Sequence, residues 1–150
     1  MRDLIDCPFQ KADIILDKLQ EKTNIIFVDF HAEATSEKMA FSFYLDGRVS
    51  GVVGTHTHVQ TADERILPGG TAHITDLGMT GSFNSMLGMK KESIIHNFLT
   101  ALPVKFTPDV SVPIAMCGAW IEVDTETGKA VKIQRIMIID NDLQVGSEDE

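Results

Sequence analysis

Two histidines follow a run of small and β-branched residues in the stretch "GVVGTHTHVQ", residues 51–60. His56 and His58 are two positions apart, and side chains at that spacing in an extended segment point to the same side. Asp29 and His31 repeat the spacing at the end of a second such run, "NIIFVDFH". Imidazole and carboxylate groups together suit iron, manganese or zinc. The four residues are therefore a candidate metal site, although the pattern also fits loop histidines held by ordinary hydrogen bonds.

Two predicted β-strands would position these candidate metal ligands. Segments 24–31 and 48–54 are rich in β-branched and aromatic residues, which predicts two buried β-strands. Helical periodicity and end signals predict a helix over about 8–22 and another over 35–46. Sites in open α/β sheets form beyond the carboxyl ends of parallel strands. Both histidine segments are thus expected at one edge of the sheet.

The second half of the chain is predicted to be rich in β-structure. Strands at its end would form an antiparallel meander, whereas the first half alternates helices with parallel strands. Together these patterns predict the α/β class, as a layered sandwich with a mixed sheet. The predicted elements are two short strands around Pro68-Gly69-Gly70, a loop over 77–89, a helix over 90–102 that stops before Pro103, and strands over 112–124 and 130–140 joined by "TETGK".

Length and charge limit the classes of protein. A chain of 150 residues has room for one domain, which we assign to residues 1–140, followed by an acidic tail over 141–150. The net charge of −9 argues against a nucleic-acid backbone or an anionic membrane as the main partner. No basic-plus-apolar leader is present, and no apolar run reaches the roughly 18 residues that a membrane span needs. Cys7 and Cys117 form no CxxC pair, which favours packed thiols in a reducing, cytoplasmic compartment.

The two other histidines are interpreted as structural. His96 is placed within a predicted helix, where it is expected to be partly exposed. His73 is placed in a short strand, where it could at most support a metal ligand from behind.

Three long blocks resemble a known family: "FVDFHAEATSEK", "YLDGRVSGVVGTHTHVQTADERILPGGTAHITDLGMTGS" and "DTETGKAVKIQRI". They are similar to the bacterial YmdB-like family, a branch of the calcineurin-like metallophosphoesterases that hydrolyses cyclic-nucleotide and related phosphodiesters. The resemblance runs from about residue 4 to 139. It implies a partial metallophosphoesterase domain and a small-molecule phosphodiester substrate.

The resemblance also implies roles for single residues. His31 matches the isolated histidine ligand of that superfamily, and His56 and His58 match its closing G-x-H pair. In the family, His31 and His56 would hold one metal and His58 the other. Apart from the resemblance, Asp29 and Glu33 are candidates for substitute ligands, but a place behind the ligands, where they would orient an imidazole, is favoured. The composition of the loop around Thr75, Asp76, Gly78 and Thr80 favours a flexible surface connection, whereas the resemblance makes it a candidate substrate loop near the metal site. Two divalent transition metals are implied, with iron first and manganese as the alternative.

Other motifs of the family do not occur in these 150 residues. These are the opening strand with its metal-binding Asp, the carboxylate that bridges the metals, and the "GNH" motif. The chain therefore resembles the C-terminal portion of the family's domain. It is expected to be incomplete for catalysis alone, and a companion chain or a homo-oligomer is expected to supply what is missing.

Two alternatives to the phosphodiesterase remain open. One is a non-catalytic fragment that binds a metal weakly or serves in assembly. The other is a mononuclear iron oxygenase, whose ligand motif ordinarily runs H-x-D rather than the order Asp29-x-His31 found here.

Overall fold

The computed structural model describes residues 6–142. The predicted domain limit at residue 1 and most of the predicted acidic tail lie outside the described residues, and the domain assignment stays a prediction. The elements in chain order are α1 (Pro8–Leu19), β1 (Phe27–His31), α2 (Thr35–Tyr44), β2 (Gly51–Thr55), β3 (Arg65–Ile66), β4 (Ala72–Ile74), β5 (Thr80–Ser82), α3 (Lys91–Thr100), β6 (Ile114–Val123) and β7 (Ala130–Asp140).

The first sheet has the strand order β1-β2-β4-β3. Strand β2 pairs in parallel with both β1 and β4, and β3 runs antiparallel to β4. The register places His31 opposite Thr55 at the carboxyl end of the first pair. The carboxyl ends of β1, β2 and β4 therefore meet at one edge of the sheet, as the sequence predicted for the histidine segments.

Helices α1 and α2 pack with β1 and β2 in one apolar cluster. Leu16, Phe41 and Val52 are buried there, and Phe30 stacks on Phe41 with ring centroids 4.1 Å apart. Aromatic stacking adds to the free energy gained by burying apolar area. The cluster fixes the helices on the sheet and holds the strand ends in register.

The second sheet is antiparallel and has the order β5-β6-β7. Gln60 ties it to the first sheet, because its side-chain amide donates hydrogen bonds to the carbonyls of Gly118 (2.9 Å) and Ile136 (3.0 Å). The mixed α/β class and the final hairpin agree with the sequence-based predictions. Residues 80–82 differ from the prediction. They were predicted to be part of a loop, but they form strand β5, which pairs with β6.

Strand β1 also differs from expectation. The sequence predicts burial on both faces, yet the exposure of β1 alternates, and Phe27 is 50% exposed. The reason is its position, since β1 lies at the edge of the sheet whereas β2 lies inside it. Cys7 and Cys117 are both unbridged, and Cys7 is exposed rather than packed. Within residues 6–142, no helix has the length and apolar character needed to cross a membrane.

A partly buried polar chain includes His73 of β4 and Asp63, with His73 Nε2 3.5 Å from Asp63 Oδ2. His73 is 1% exposed, and its Nδ1 lies 2.8 Å from the hydroxyl of Ser42. Asp63 accepts hydrogen bonds from the hydroxyls of Thr61 (2.6 Å) and Thr75 and from the Thr75 N–H (3.1 Å). Burial favours the neutral acid, but these bonds outweigh it and lower the pKa of Asp63 to about 2. His73 is thereby explained as a core residue.

Asp63 should contribute to the acid sensitivity of the fold. Because its pKa is lower in the folded than in the unfolded chain, its stabilisation is complete above about pH 4 and is lost as the pH falls towards 2. The Asp63→Asn variant should therefore be less stable than the wild type at pH 6, and the difference should shrink on acidification. Urea unfolding at several pH values measures this. A difference in stability that stays constant from pH 6 to pH 2 would contradict the assignment.

Candidate metal centre

Two histidines meet at the carboxyl ends of neighbouring parallel strands. His31 is the last residue of β1, and His56 directly follows the last residue of β2. His31 Nε2 lies 3.2 Å from His56 Nδ1, and the ring centroids are 5.0 Å apart with planes at 75°. Both side chains are exposed to solvent. The strand register and the βαβ connection thus bring together two imidazoles that are 25 residues apart in the chain.

A hydrogen-bond relay fixes the tautomer of His31. The Thr55 hydroxyl donates to Asp29 Oδ1 at 2.9 Å, so its one proton is already used. The same oxygen lies 3.1 Å from His31 Nδ1 and must accept the proton that this nitrogen carries. The Nε2 of neutral His31 is then unprotonated and faces His56. The sequence suggested that Asp29 orients the His31 imidazole directly. In the structure, Asp29 acts on His31 through the hydroxyl of Thr55.

The pair fits two neighbouring positions in the coordination shell of one metal. Imidazole nitrogens bind zinc at about 2.1 Å, so two on one ion lie about 3.0 Å apart at a right angle and about 3.4 Å apart at the tetrahedral angle. The 3.2 Å separation falls between these limits. A hydroxyl and carboxylate behind a ligating histidine are also the usual outer partners of such a ligand.

His58 does not join this pair. The expectation of an extended segment is wrong here, because His56 and His58 have φ values of 125° and 64°. These positive angles turn the backbone, so the two side chains diverge, and His58 Nδ1 lies 3.3 Å from the carbonyl of Leu87 instead. The expected convergence of three imidazoles with a carboxylate does not occur. Across the part of the chain that the structure describes, no three His, Cys, Asp or Glu side chains form a group that could hold a metal.

The other predicted site residues have different surroundings. Glu33 is exposed in the bend between β1 and α2. Thr75 and Asp76 are almost wholly buried, with their side chains hydrogen-bonded inside the protein. They support the loop from below rather than line a substrate surface, whereas Thr80 is exposed and Gly78 turns the chain with φ of 83°.

Lys38 is a residue that the sequence argument missed. It is 1% exposed, and its Nζ donates to Asp76 Oδ2 at 3.0 Å and to the Thr55 carbonyl at 2.8 Å. Burial would raise the pKa of Asp76, but hydrogen bonds from the Thr57 and Gly78 N–H groups and from Lys38 lower it below its ordinary value. One signal was present: Lys38 falls on the helical stripe that continues through Phe41 and ends at buried Leu45.

A cleft of about 240 Å³ opens beside His58. Its other lining residues are mainly apolar, and Phe83 and Leu87 within it are 46% and 47% exposed. Apolar walls with a few polar groups are typical of small-molecule sites. The cleft therefore offers room for an organic group next to the histidine turn.

The relay predicts an effect of Thr55→Val, which keeps the side-chain shape and removes the hydroxyl. Zn²⁺ should then bind the histidine pair about 10- to 100-fold more weakly, because His31 loses the group that fixes its tautomer. Isothermal titration calorimetry measures the affinity. Thr100→Val on α3 is the matched control, since that hydroxyl bonds only backbone groups near the end of α3: it donates to the His96 carbonyl and accepts the N–H of Leu102. Equal Zn²⁺ affinities for the two variants would contradict the role of the relay.

The fold recurs in two solved structures. One is a hypothetical protein from Thermus thermophilus, 40% identical, with a TM-score of 0.83 over 93% of this chain and 53% of that one. The other is described as a novel phosphatase from Mycoplasma pneumoniae, 40% identical, with a TM-score of 0.81 over 90% of this chain and 47% of that one. The class is thus a mixed α/β fold shared with a phosphatase.

The chain belongs to the YmdB-like protein family, whose sequence pattern it matches over residues 1–136. It is 56% identical over 137 residues to a Bacillus subtilis (strain 168) protein named 2',3'-cyclic-nucleotide 2'-phosphodiesterase. That match covers 91% of this chain and 52% of the relative. The chain spans about half the length of the curated relatives it matches.

Proposed function

We propose that this chain forms part of the active site of a metal-dependent phosphodiesterase, with His31 and His56 as ligands of one metal. The observation that carries the proposal is the 3.2 Å approach of His31 Nε2 and His56 Nδ1 at the ends of parallel strands. The Asp29–Thr55 relay behind His31 supports it, because a structural histidine has no need of a fixed, unprotonated outer nitrogen. The name of the Bacillus subtilis relative supports a cyclic-nucleotide substrate.

The chain's own residues have distinct tasks in this proposal. When bound, a transition metal, with iron first and manganese next, would supply polarisation of the phosphoryl group and an activated water. His31 and His56 hold that metal, and Asp29 and Thr55 keep His31 in its binding tautomer. His58 faces the cleft side of the same turn and is proposed as a ligand of the second metal.

The remaining ligands are proposed to lie in the part of the relatives that the match does not cover. Two imidazoles alone hold a metal weakly, since tightly held transition metals ordinarily have three or four protein ligands. The chain would therefore act with a companion segment that completes the site. The organic part of the phosphodiester would occupy the cleft beside His58, where Phe83 offers an aromatic face.

A chimera tests the proposal. The matched 137-residue segment of the Bacillus subtilis relative is replaced by the corresponding residues of this chain, and hydrolysis of a 2',3'-cyclic nucleotide is measured with added Mn²⁺. We expect activity within about tenfold of the parent, and a loss of at least about 100-fold on His56→Ala. His96→Ala is the control, because His96 is exposed on α3. A folded but inactive chimera, or an active His56→Ala chimera, would contradict the proposal and favour the non-catalytic alternative.

A further inference from the structure

We propose that the buried ion pair of Lys38 and Asp76 is the positioning element that fixes His56 against His31. The pair would act through the backbone of residues 55–57 without touching the metal or the substrate. The inference rests on the proposed function only for the consequence that a misplaced His56 weakens metal binding. The placement of His56 is a claim about the metal-free protein and can be tested by itself.

The histidine turn needs an external support. His56 has a φ of 125° and His58 a φ of 64°, values that non-glycine residues seldom adopt. Such conformations persist only where the surrounding structure over-determines them. Neither imidazole is packed in the core, since both side chains are exposed. The support must therefore act on the backbone of the turn.

The ion pair grips that backbone on both sides of His56. Lys38 Nζ donates to the carbonyl of Thr55, the residue before it, at 2.8 Å. Asp76 Oδ2 accepts the N–H of Thr57, the residue after it, at 2.9 Å. The two charged groups are themselves joined at 3.0 Å, so His56 is held between two anchors of one rigid unit.

The pair is anchored in the framework that carries the site. Lys38 extends from α2, and Asp76 follows β4, which pairs with β2. Gly54 leaves room for the lysine stem, because a Cβ there would lie 2.8 Å from Lys38 Cδ. Asp76 Oδ1 also accepts the N–H of Gly78 at 2.9 Å, so both carboxylate oxygens are occupied. The position of the turn is thus set by helix α2 and strands β2 and β4.

Burial of both charges argues for a geometric role. Lys38 and Asp76 are 1% and 0% exposed, and their desolvation offsets much of their attraction. Apolar residues of similar volume often stabilise a fold equally well at such places. What apolar residues cannot supply is a donor for the Thr55 carbonyl and an acceptor for the Thr57 N–H. The pair therefore contributes the course of the turn more than the stability of the domain.

The test compares the Lys38→Met/Asp76→Asn double variant with Ser42→Ala. The double variant removes the ion pair without leaving a lone buried charge. Ser42→Ala removes two buried hydrogen bonds, to the Lys38 backbone carbonyl and to His73, and neither involves the Lys38 side chain or the turn. Imidazole ¹⁵N signals of the metal-free proteins report the His31–His56 contact, and Zn²⁺ titration calorimetry reports the affinity. We expect the double variant to lose the His56 contact and to bind Zn²⁺ at least about tenfold more weakly. Ser42→Ala should lower the melting temperature and leave both readouts unchanged.

Two results separate the possible failures. A folded double variant with wild-type His56 signals and wild-type Zn²⁺ affinity would overturn the positioning role. Wild-type protein that shows the His31–His56 contact but no Zn²⁺ binding at it would overturn the proposed function and leave the positioning role standing. Should the double variant not fold, Lys38→Met alone decides in the same way, because it removes the donor to the Thr55 carbonyl while the N–H groups of Thr57 and Gly78 still satisfy the Asp76 carboxylate.

Discussion

Replacing His56 by alanine is expected to reduce the Zn²⁺ affinity of the chain by about 100-fold or more. The His31 and His56 nitrogens are 3.2 Å apart and form two adjacent positions for one ion, so removal of either leaves a single imidazole. Loss of an outer partner alone costs about 10- to 100-fold, and loss of a ligand should cost at least as much. Titration calorimetry with Zn²⁺ on the metal-free protein measures the effect.

Matched variants show whether the effect belongs to this pair. His31→Ala should equal His56→Ala, and the double variant should be little worse than either, because one missing ligand already destroys the site. His96→Ala removes an exposed imidazole from α3 and should leave the affinity unchanged. Zn²⁺ affinity that falls for His96→Ala and not for His56→Ala would place the metal elsewhere.

Replacing Gly54 by alanine is expected to destabilise the fold by more than about 3 kcal/mol. A Cβ at this position would lie far inside the van der Waals contact distance to the Thr75 carbonyl oxygen and would also meet the stem of Lys38. The first obstacle is backbone of the neighbouring strand end and cannot move aside cheaply. Urea denaturation followed by circular dichroism gives the change in the free energy of unfolding.

Gly118→Ala is the control for that substitution. Gly118 lies in β6, and a Cβ added to it would meet nothing within 4 Å. Its replacement should leave the free energy of unfolding unchanged or raise it by up to about 1 kcal/mol, since alanine loses less backbone entropy than glycine. Similar losses of stability for the two variants would show that the close approach at Gly54 is not the cause.

Most of the fold could be predicted from local patterns. The parallel pairing of β1 with β2 follows from two β-branched runs separated by the α2 periodicity, and the "TETGK" turn predicts the β6–β7 hairpin. The miss at β5 has a plain reason. Its "TGS" sequence contains one strand-favouring residue, Thr80, which is too weak a signal, and the segment becomes a strand by pairing with β6. The exposure of Phe27 could not be predicted either, because the order of strands in the sheet, which local patterns do not give, decides which strand lies at an edge.

The candidate site was predictable in part. The residues at the strand ends could be placed by the rule that sites lie beyond the carboxyl ends of parallel strands. The divergence of the His56 and His58 side chains could not be predicted, because nothing in the sequence indicates that both residues adopt a positive φ. The role of Thr55 could be recognised only from the strand register, which places it opposite His31. Lys38 carried a readable signal, a charge on a core-facing stripe, but its partner Asp76 is 38 residues away.

Joint binding of one metal by His31 and His56 is tested most directly by NMR of the ring nitrogens. The measurement is a long-range ¹H–¹⁵N spectrum of the uniformly labelled wild-type chain, recorded during titration with diamagnetic Zn²⁺. We expect metal-free His31 to carry its proton on Nδ1, and we expect His31 Nε2 and His56 Nδ1 to shift together as Zn²⁺ is added. Zn²⁺ binding that leaves both of these nitrogens unshifted would contradict the shared site.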